Sequence, residues 1–144
     1  MRRVALLFLM VVAALVYAEH PNQKTIGDVV IHYNVFNASQ LSPDVARQYG
    51  ISRSGNYGVV NVSVRKGKPG DDKPLRASVK GFARNLLSQV KSLDFREIEE
   101  KGAIYYIATF RFDNEERLKF ELQVQPEGMS SPVAIKFENQ FYNP

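Results

Sequence analysis

Residues 104–124, IYYIATFRFDNEERLKFELQV, contain two runs of alternating apolar side chains on either side of a short polar break. From Leu118 to Val124 every second residue is apolar, and the residues between them are charged or carry amides. A period of two is typical of a strand that buries one face. The polar residues 113–115 have the length of a hairpin turn. This stretch therefore predicts two half-buried strands separated by a hairpin-sized polar break.

The same alternation recurs along the rest of the chain and predicts a mainly β protein. Short strands separated by turn residues indicate an antiparallel sandwich or barrel. The seven predicted strands lie around residues 31–35, 60–64, 75–83, 93–95, 104–112, 118–124 and 133–137.

One short helix is predicted between the first two of these strands. Ser42 is a favourable N-cap, Pro43 and Asp44 suit the first turn, and Gly50 ends the helix. The apolar residues expected to face the sheet are Val45, Ala46 and Tyr49.

Residues 82–93 fit two structures. Apolar residues recur there at helical spacing, which indicates a second helix. We favour a strand that continues to about Ala83, followed by an irregular link.

The first eighteen residues have the pattern of a secretory signal peptide. Arg2 and Arg3 precede the apolar stretch Val4–Val16, and small residues occupy the positions before cleavage after Ala18. The stretch is shorter than the roughly 20 residues of a spanning helix, so we expect no stable membrane anchor. The chain has no cysteine, which excludes a lipid-anchored amino terminus and fits a core-stabilised domain in a bacterial periplasm. Residues 1–18 are thus the predicted signal peptide, and residues 19–144 are the predicted single domain.

Charge is distributed unevenly along the mature chain. Residues 47–91 carry ten Lys or Arg against two Asp, whereas residues 94–127 carry nine acids against five bases. Such asymmetry fits either cross-strand ion pairs or a face for an anionic partner, such as an envelope component or an acidic protein. Aromatic residues do not interleave with the basic stretch, so we expect no nucleic-acid partner.

No motif in the sequence names a reaction. His32 lies in the middle of a predicted strand, and an alternative function is a small periplasmic hydrolase that uses it as a base. No nucleophile motif accompanies it, and no His or Cys cluster has metal-ligand spacing, so we predict neither a cofactor nor a metal.

The strand at 104–112 is apolar on both faces, because Tyr105 and Ile107 alternate with apolar neighbours. The second face is either covered by another segment or exposed to a partner. We expect cover, with Phe141 and Tyr142 as the candidates.

Several strings also resemble one protein family. They include HYNVFN at 32–37, LSPDVA at 41–46 with YGI at 49–51, GVVNVSV at 58–64, NLL at 85–87, FREI at 95–98 and AIYY at 103–106. Together they resemble the small secreted bacterial proteins known as domain of unknown function 4426. The resemblance implies a periplasmic, single-domain, immunoglobulin-like β-sandwich from a Gram-negative organism. The family has no established activity, so it implies no catalytic residue.

The sequence thus predicts a non-enzymatic binding or accessory module. Its partner would be a periplasmic protein or an anionic envelope component. The predicted contact residues are His32, Tyr33, Asn34, Asn37, Tyr49, Tyr105 and Ile107.

Overall fold

The computed structural model describes residues 22–144. The predicted signal peptide and its cleavage site lie outside the described residues. Ten strands are present: β1 Gln23–Ile26, β2 Val29–Asn37, β3 Tyr57–Lys66, β4 Lys73–Pro74, β5 Ala77–Asn85, β6 Val90–Leu93, β7 Arg96–Glu100, β8 Ala103–Arg111, β9 Glu116–Pro126 and β10 Val133–Phe141. A 3-10 turn, Ala38–Gln40, and one helix, α1 Pro43–Gln48, lie between β2 and β3.

The strands form two antiparallel sheets, which confirms the predicted sandwich. The first sheet has the order β1-β2-β3-β8-β7, with β4 also paired to β3, and the second has the order β10-β9-β5-β6. Three short strands, β1, β4 and β7, were not predicted. They contain few apolar residues, and four of the five residues in β7 are charged, so no alternating pattern identifies them.

The main core lies between the two sheets. It contains the inward residues of β8 and β9, including Phe110 and Phe120, whose ring centroids are 5.3 Å apart. Phe141 of β10 lies 5.2 Å from both Phe110 and Phe112. Aromatic packing of this kind lets two thin sheets form a core without disulfides.

Helix α1 forms where it was predicted and covers the outer surface of the first sheet. The Ser42 hydroxyl accepts a hydrogen bond from Val45 N at 3.3 Å, and Gly50 follows the helix with a φ of 65°. Of the three residues expected to face the sheet, only Ala46 is buried, while Val45 is 39% exposed. A helix of six residues is too short to bury a complete apolar stripe.

A second, smaller core lies beneath this helix. Ala38, Ala46, Ile51 and Val59 are buried there, and Ile107 packs against them. The helix segment therefore covers Ile107.

The covering segment is a different one from the two candidates named above. Phe141 points into the main core, and Tyr142 is 57% exposed.

Residues 82–93 form a β-hairpin. β5 continues to Asn85 and β6 begins at Val90, so the second helix is wrong and the link is a short turn. The Asn85 carboxamide oxygen accepts hydrogen bonds from Leu87 N and Gln89 N, and it closes the turn. The apolar residues at helical spacing do not share a buried face, since Leu86 is 74% exposed.

Candidate functional site

Four polar side chains lie together on the outward face of β2 and β3. We call His32, Asn34, Asn61 and Ser63 the polar face. His32 is directly opposite Ser63, and Asn34 is opposite Asn61. Their chain neighbours point inward, because side chains alternate along a strand, and Ile31, Val60, Val62 and Val64 are all buried.

The polar face lines an open hollow of about 340 Å³. Tyr33 of β2, Gln23 of β1 and Asn22, which precedes β1, complete its lining. No Asp, Glu, Lys or Arg lines it. The hollow therefore offers neutral donors and acceptors of hydrogen bonds.

The polar groups of this face are unused within the described part of the chain. Between residues 22 and 144, the side chains of His32, Asn34, Asn61 and Ser63 make no hydrogen bond to one another or to any other residue. The Asn61 carboxamide oxygen is buried and has no partner there. An unpaired buried acceptor costs about 1–3 kcal/mol, which a donor supplied from outside the chain would offset.

The hydrolase hypothesis requires His32 to meet a nucleophile and an acid. Ser63 is its cross-strand partner, but no hydrogen bond joins the two among the described residues. Asp72 is already paired with Arg65, with 2.8 Å between the carboxylate and Arg65 Nε. This hydrogen bond from Arg65 lowers the pKa of Asp72. The three side chains do not form a hydrogen-bonded relay.

Two of the predicted contact residues have other partners. Tyr33 points to the opposite face of β2, where its ring stacks on Phe137 at 5.1 Å. The Asn37 carboxamide accepts from Ser39 N at 3.0 Å and donates to Gly55 O at 3.2 Å. Asn37 therefore holds the loop that follows β2.

The remaining predicted residues lie farther across the first sheet. Tyr105 points outward from β8 and is 36% exposed, whereas Ile107 packs beneath α1. The Tyr49 hydroxyl donates to the Glu100 carboxylate, and this hydrogen bond raises the pKa of Tyr49. Tyr49 thus ties the end of the helix to β7.

Of the seven predicted contact residues, His32 and Asn34 belong to the polar face. The other two members of this face, Asn61 and Ser63, were not predicted. Asn61 and Ser63 alternate with buried valines, which places them on a wet face. Only the register of β2 against β3 identifies them as neighbours of His32.

A second polar cluster lies where the two sheets meet. Arg76 donates to Glu97 at 2.7 Å and to Glu99 at 2.9 Å. The Tyr106 hydroxyl donates to Glu97 at 2.8 Å and accepts from Ala77 N at 2.8 Å. The hydrogen bond from Tyr106 lowers the pKa of Glu97. Both carboxylates are paired, so this cluster links the two sheets by hydrogen bonds.

The fold and the polar face define a small two-sheet β-sandwich with an open, neutral, hydrogen-bonding surface on β2 and β3. The family model described as "Domain of unknown function (DUF4426)" matches residues 23–144, and the chain belongs to this family. A DUF4426 family protein from Pseudomonas aeruginosa is similar in structure, with 36% identity and a TM-score of 0.74, over 85% of this chain and 94% of that one.

Two structures of FetP from uropathogenic Escherichia coli share the fold at low identity. A copper-bound variant is 9% identical with a TM-score of 0.58, over 85% of this chain and 95% of that one. The protein as isolated is 8% identical with the same score, over 85% and 93%. The comparison with curated proteins gave no match. Within residues 22–144, no helix has the length and apolar character needed to cross a membrane.

Proposed function

We propose that this protein is a non-enzymatic binding module of the periplasm. It is exported by its signal peptide and contacts another protein or an envelope component through the polar face. The observation that carries the proposal is the set of four adjacent polar side chains without partners among residues 22–144. Each of these groups is placed to exchange its hydrogen bonds with water for bonds to a partner that has complementary donors and acceptors.

The shape and chemistry of the hollow support recognition by neutral hydrogen bonds. Its lining carries amide, hydroxyl and imidazole groups, and the half-exposed Tyr105 ring lies on the same outward sheet surface. Rigid strands hold these groups, so the surface is formed before a partner arrives, which reduces the entropic cost of binding.

The proposal is tested by photocrosslinking in the native periplasm. A photoreactive residue replaces Asn34 on the polar face, and a second variant carries it at Ser92, which is exposed on the other sheet. We expect one adduct specific to position 34. Adding His32→Ala and Ser63→Ala should abolish it with the melting temperature unchanged. The same adducts from both positions, or an adduct that survives these substitutions, would contradict the proposed surface.

A hydrolase centred on His32 is the alternative function. The single observation in its favour is the cross-strand pairing of His32 with Ser63. Turnover of a panel of chromogenic esters and amides by the purified protein separates the two functions. The alternative requires turnover that both His32→Ala and Ser63→Ala remove, and it is rejected when these variants match the wild type.

The copper bound by the FetP variant is a property of that protein. The likeness at 9% identity shows the fold alone. The part of the chain from residue 22 onward contains no group of three His, Cys, Asp or Glu side chains placed to hold a metal ion.

A further inference from the structure

One sheet edge in the structure is long and uncovered by another strand. β10 ends the second sheet and pairs only with β9 among the described strands. It has nine residues, whereas the other edge strands, β1, β6 and β7, have four or five. Exposed edges of this length invite pairing with another strand, and proteins usually keep them short or highly charged.

The backbone groups of every second residue in β10 point to this open edge. The Ala134 carbonyl accepts a hydrogen bond from Lys24 Nζ of β1 at 3.1 Å, which indicates that Ala134 directs its polar groups away from β9. Because the direction alternates along a strand, Lys136, Glu138 and Gln140 share this orientation.

We propose that β10 pairs antiparallel with β10 of a second copy of this chain, with the two-fold axis at Phe137. This is the register that pairs all nine residues. It places Lys136 opposite Glu138 of the other copy and, by symmetry, Glu138 opposite Lys136. The outer surface then carries two opposite-charge pairs at adjacent cross-strand positions. Such directly opposed pairs favour a register, whereas like charges oppose it.

The side of β10 that faces the core also suits this pairing. Phe137 is half-buried, and its ring stacks between Phe120 at 4.8 Å and Tyr33 at 5.1 Å. At the two-fold axis the two Phe137 residues are direct cross-strand neighbours, so the aromatic stack of one copy continues into the other. In the dimer, the Ala134 carbonyl accepts a hydrogen bond from the backbone N–H of the partner's Gln140 in place of the one from Lys24 Nζ.

Charge reversal tests the register directly. The isolated protein is expected to be a dimer with a Kd in the micromolar range, because edge pairing buries a small area. Lys136→Glu places Glu opposite Glu twice. Glu138→Lys places Lys opposite Lys twice and also removes the ion pair that Glu138 makes with Arg117 of β9 at 2.9 Å. Each change should raise the Kd at least tenfold, measured by sedimentation equilibrium.

Combining the two changes should restore association in two ways. A mixture of Lys136→Glu protein with Glu138→Lys protein should form a heterodimer, since every opposed pair is then Lys against Glu. The double variant with both changes in one chain should form a homodimer again. Lys80→Glu, on the interior strand β5 of the same sheet, changes the net charge equally and should leave the Kd unchanged.

Three results would overturn the proposal. The first is a wild-type protein that stays monomeric at millimolar concentration. The second is a dimer whose Kd is the same in both single variants as in the wild type. The third is a mixture of the two single variants that forms no heterodimer. Circular dichroism confirms that each variant is folded. If either single variant unfolds, the double variant decides: a homodimer supports the register and a monomer overturns it.

Discussion

Alanine in place of Gly58 should strain the aromatic core through a single ring. Gly58 lies in the interior strand β3 directly opposite Phe110 of β8. A Cβ atom at Gly58 would lie 2.7 Å from Phe110 Cε1 and Cε2, where ordinary contacts begin at 3.4 Å. The ring cannot retreat freely, because Phe120 and Phe141 pack edge-on against it at 5.3 and 5.2 Å. Gly58 does not have a positive φ, so the cost is steric and the backbone conformation suits alanine.

A double-mutant cycle isolates this contact. Overpacking a core costs about 1–3 kcal/mol, and we expect Gly58→Ala near the upper limit. Phe110→Ala should cost about 3–5 kcal/mol through cavity formation. In the double variant the methyl group introduced at position 58 has room, so the glycine substitution adds almost nothing. The expected coupling of about 2–3 kcal/mol is measured by urea denaturation.

The matched control is Gly81→Ala combined with Phe110→Ala. A Cβ at Gly81 meets Leu122 and the Glu121 backbone, and Phe110 is not among its nearest neighbours. Its effect should therefore add to that of Phe110→Ala. The reasoning is refuted if the effects of Gly58→Ala and Phe110→Ala on the free energy of unfolding add within about 0.5 kcal/mol. Such additivity would show that a methyl group at position 58 does not clash with the Phe110 ring.

Three further predictions concern the β5–β6 turn, the hydrogen bond between Tyr106 and Glu97, and helix α1. Asn85→Ala should destabilise the protein by about 2 kcal/mol and speed amide exchange in the β5–β6 turn. Tyr106→Phe should raise the pKa of Glu97, followed by carboxyl NMR, because its main hydrogen-bond donor is lost. Folding lowers this pKa, so the stabilisation from Glu97 is complete above the unfolded-state pKa and is lost as the pH falls through the folded-state value. Ala46→Asp should cost about 2–4 kcal/mol and expose Val59 to a hydrophobic dye.

The sequence predicted the strands that alternate cleanly, because burial of one face leaves a direct record in the residue pattern. β9 is the clearest case, with every second residue buried from Leu118 to Pro126. β7 shows no such alternation, since only Ile98 among its five residues is buried. Its place in the first sheet depends on pairing with β8, which is a long-range property.

The candidate site was predicted in part for a related reason. Alternation identifies the outward direction of His32, but it does not say which strand lies beside it. Pairing with β3 brings Ser63 and Asn61 to its side. The loop after β2 instead uses Asn37 for its own hydrogen bonds, because short polar side chains commonly satisfy nearby backbone groups.

The two-sided apolar character of β8 explains where the polar face ends. Ile107 requires cover, and the segment that contains α1 supplies it over one part of the first sheet only. Along β3 the outward residues change from Val59, beneath the helix, to Asn61 and then Ser63 in the hollow. Asn61 lies at this boundary, with Asn34 opposite on one side and Ile107 on the other. The polar face therefore ends at Asn61, because the next outward residue of β3, Val59, is buried beneath the helix segment.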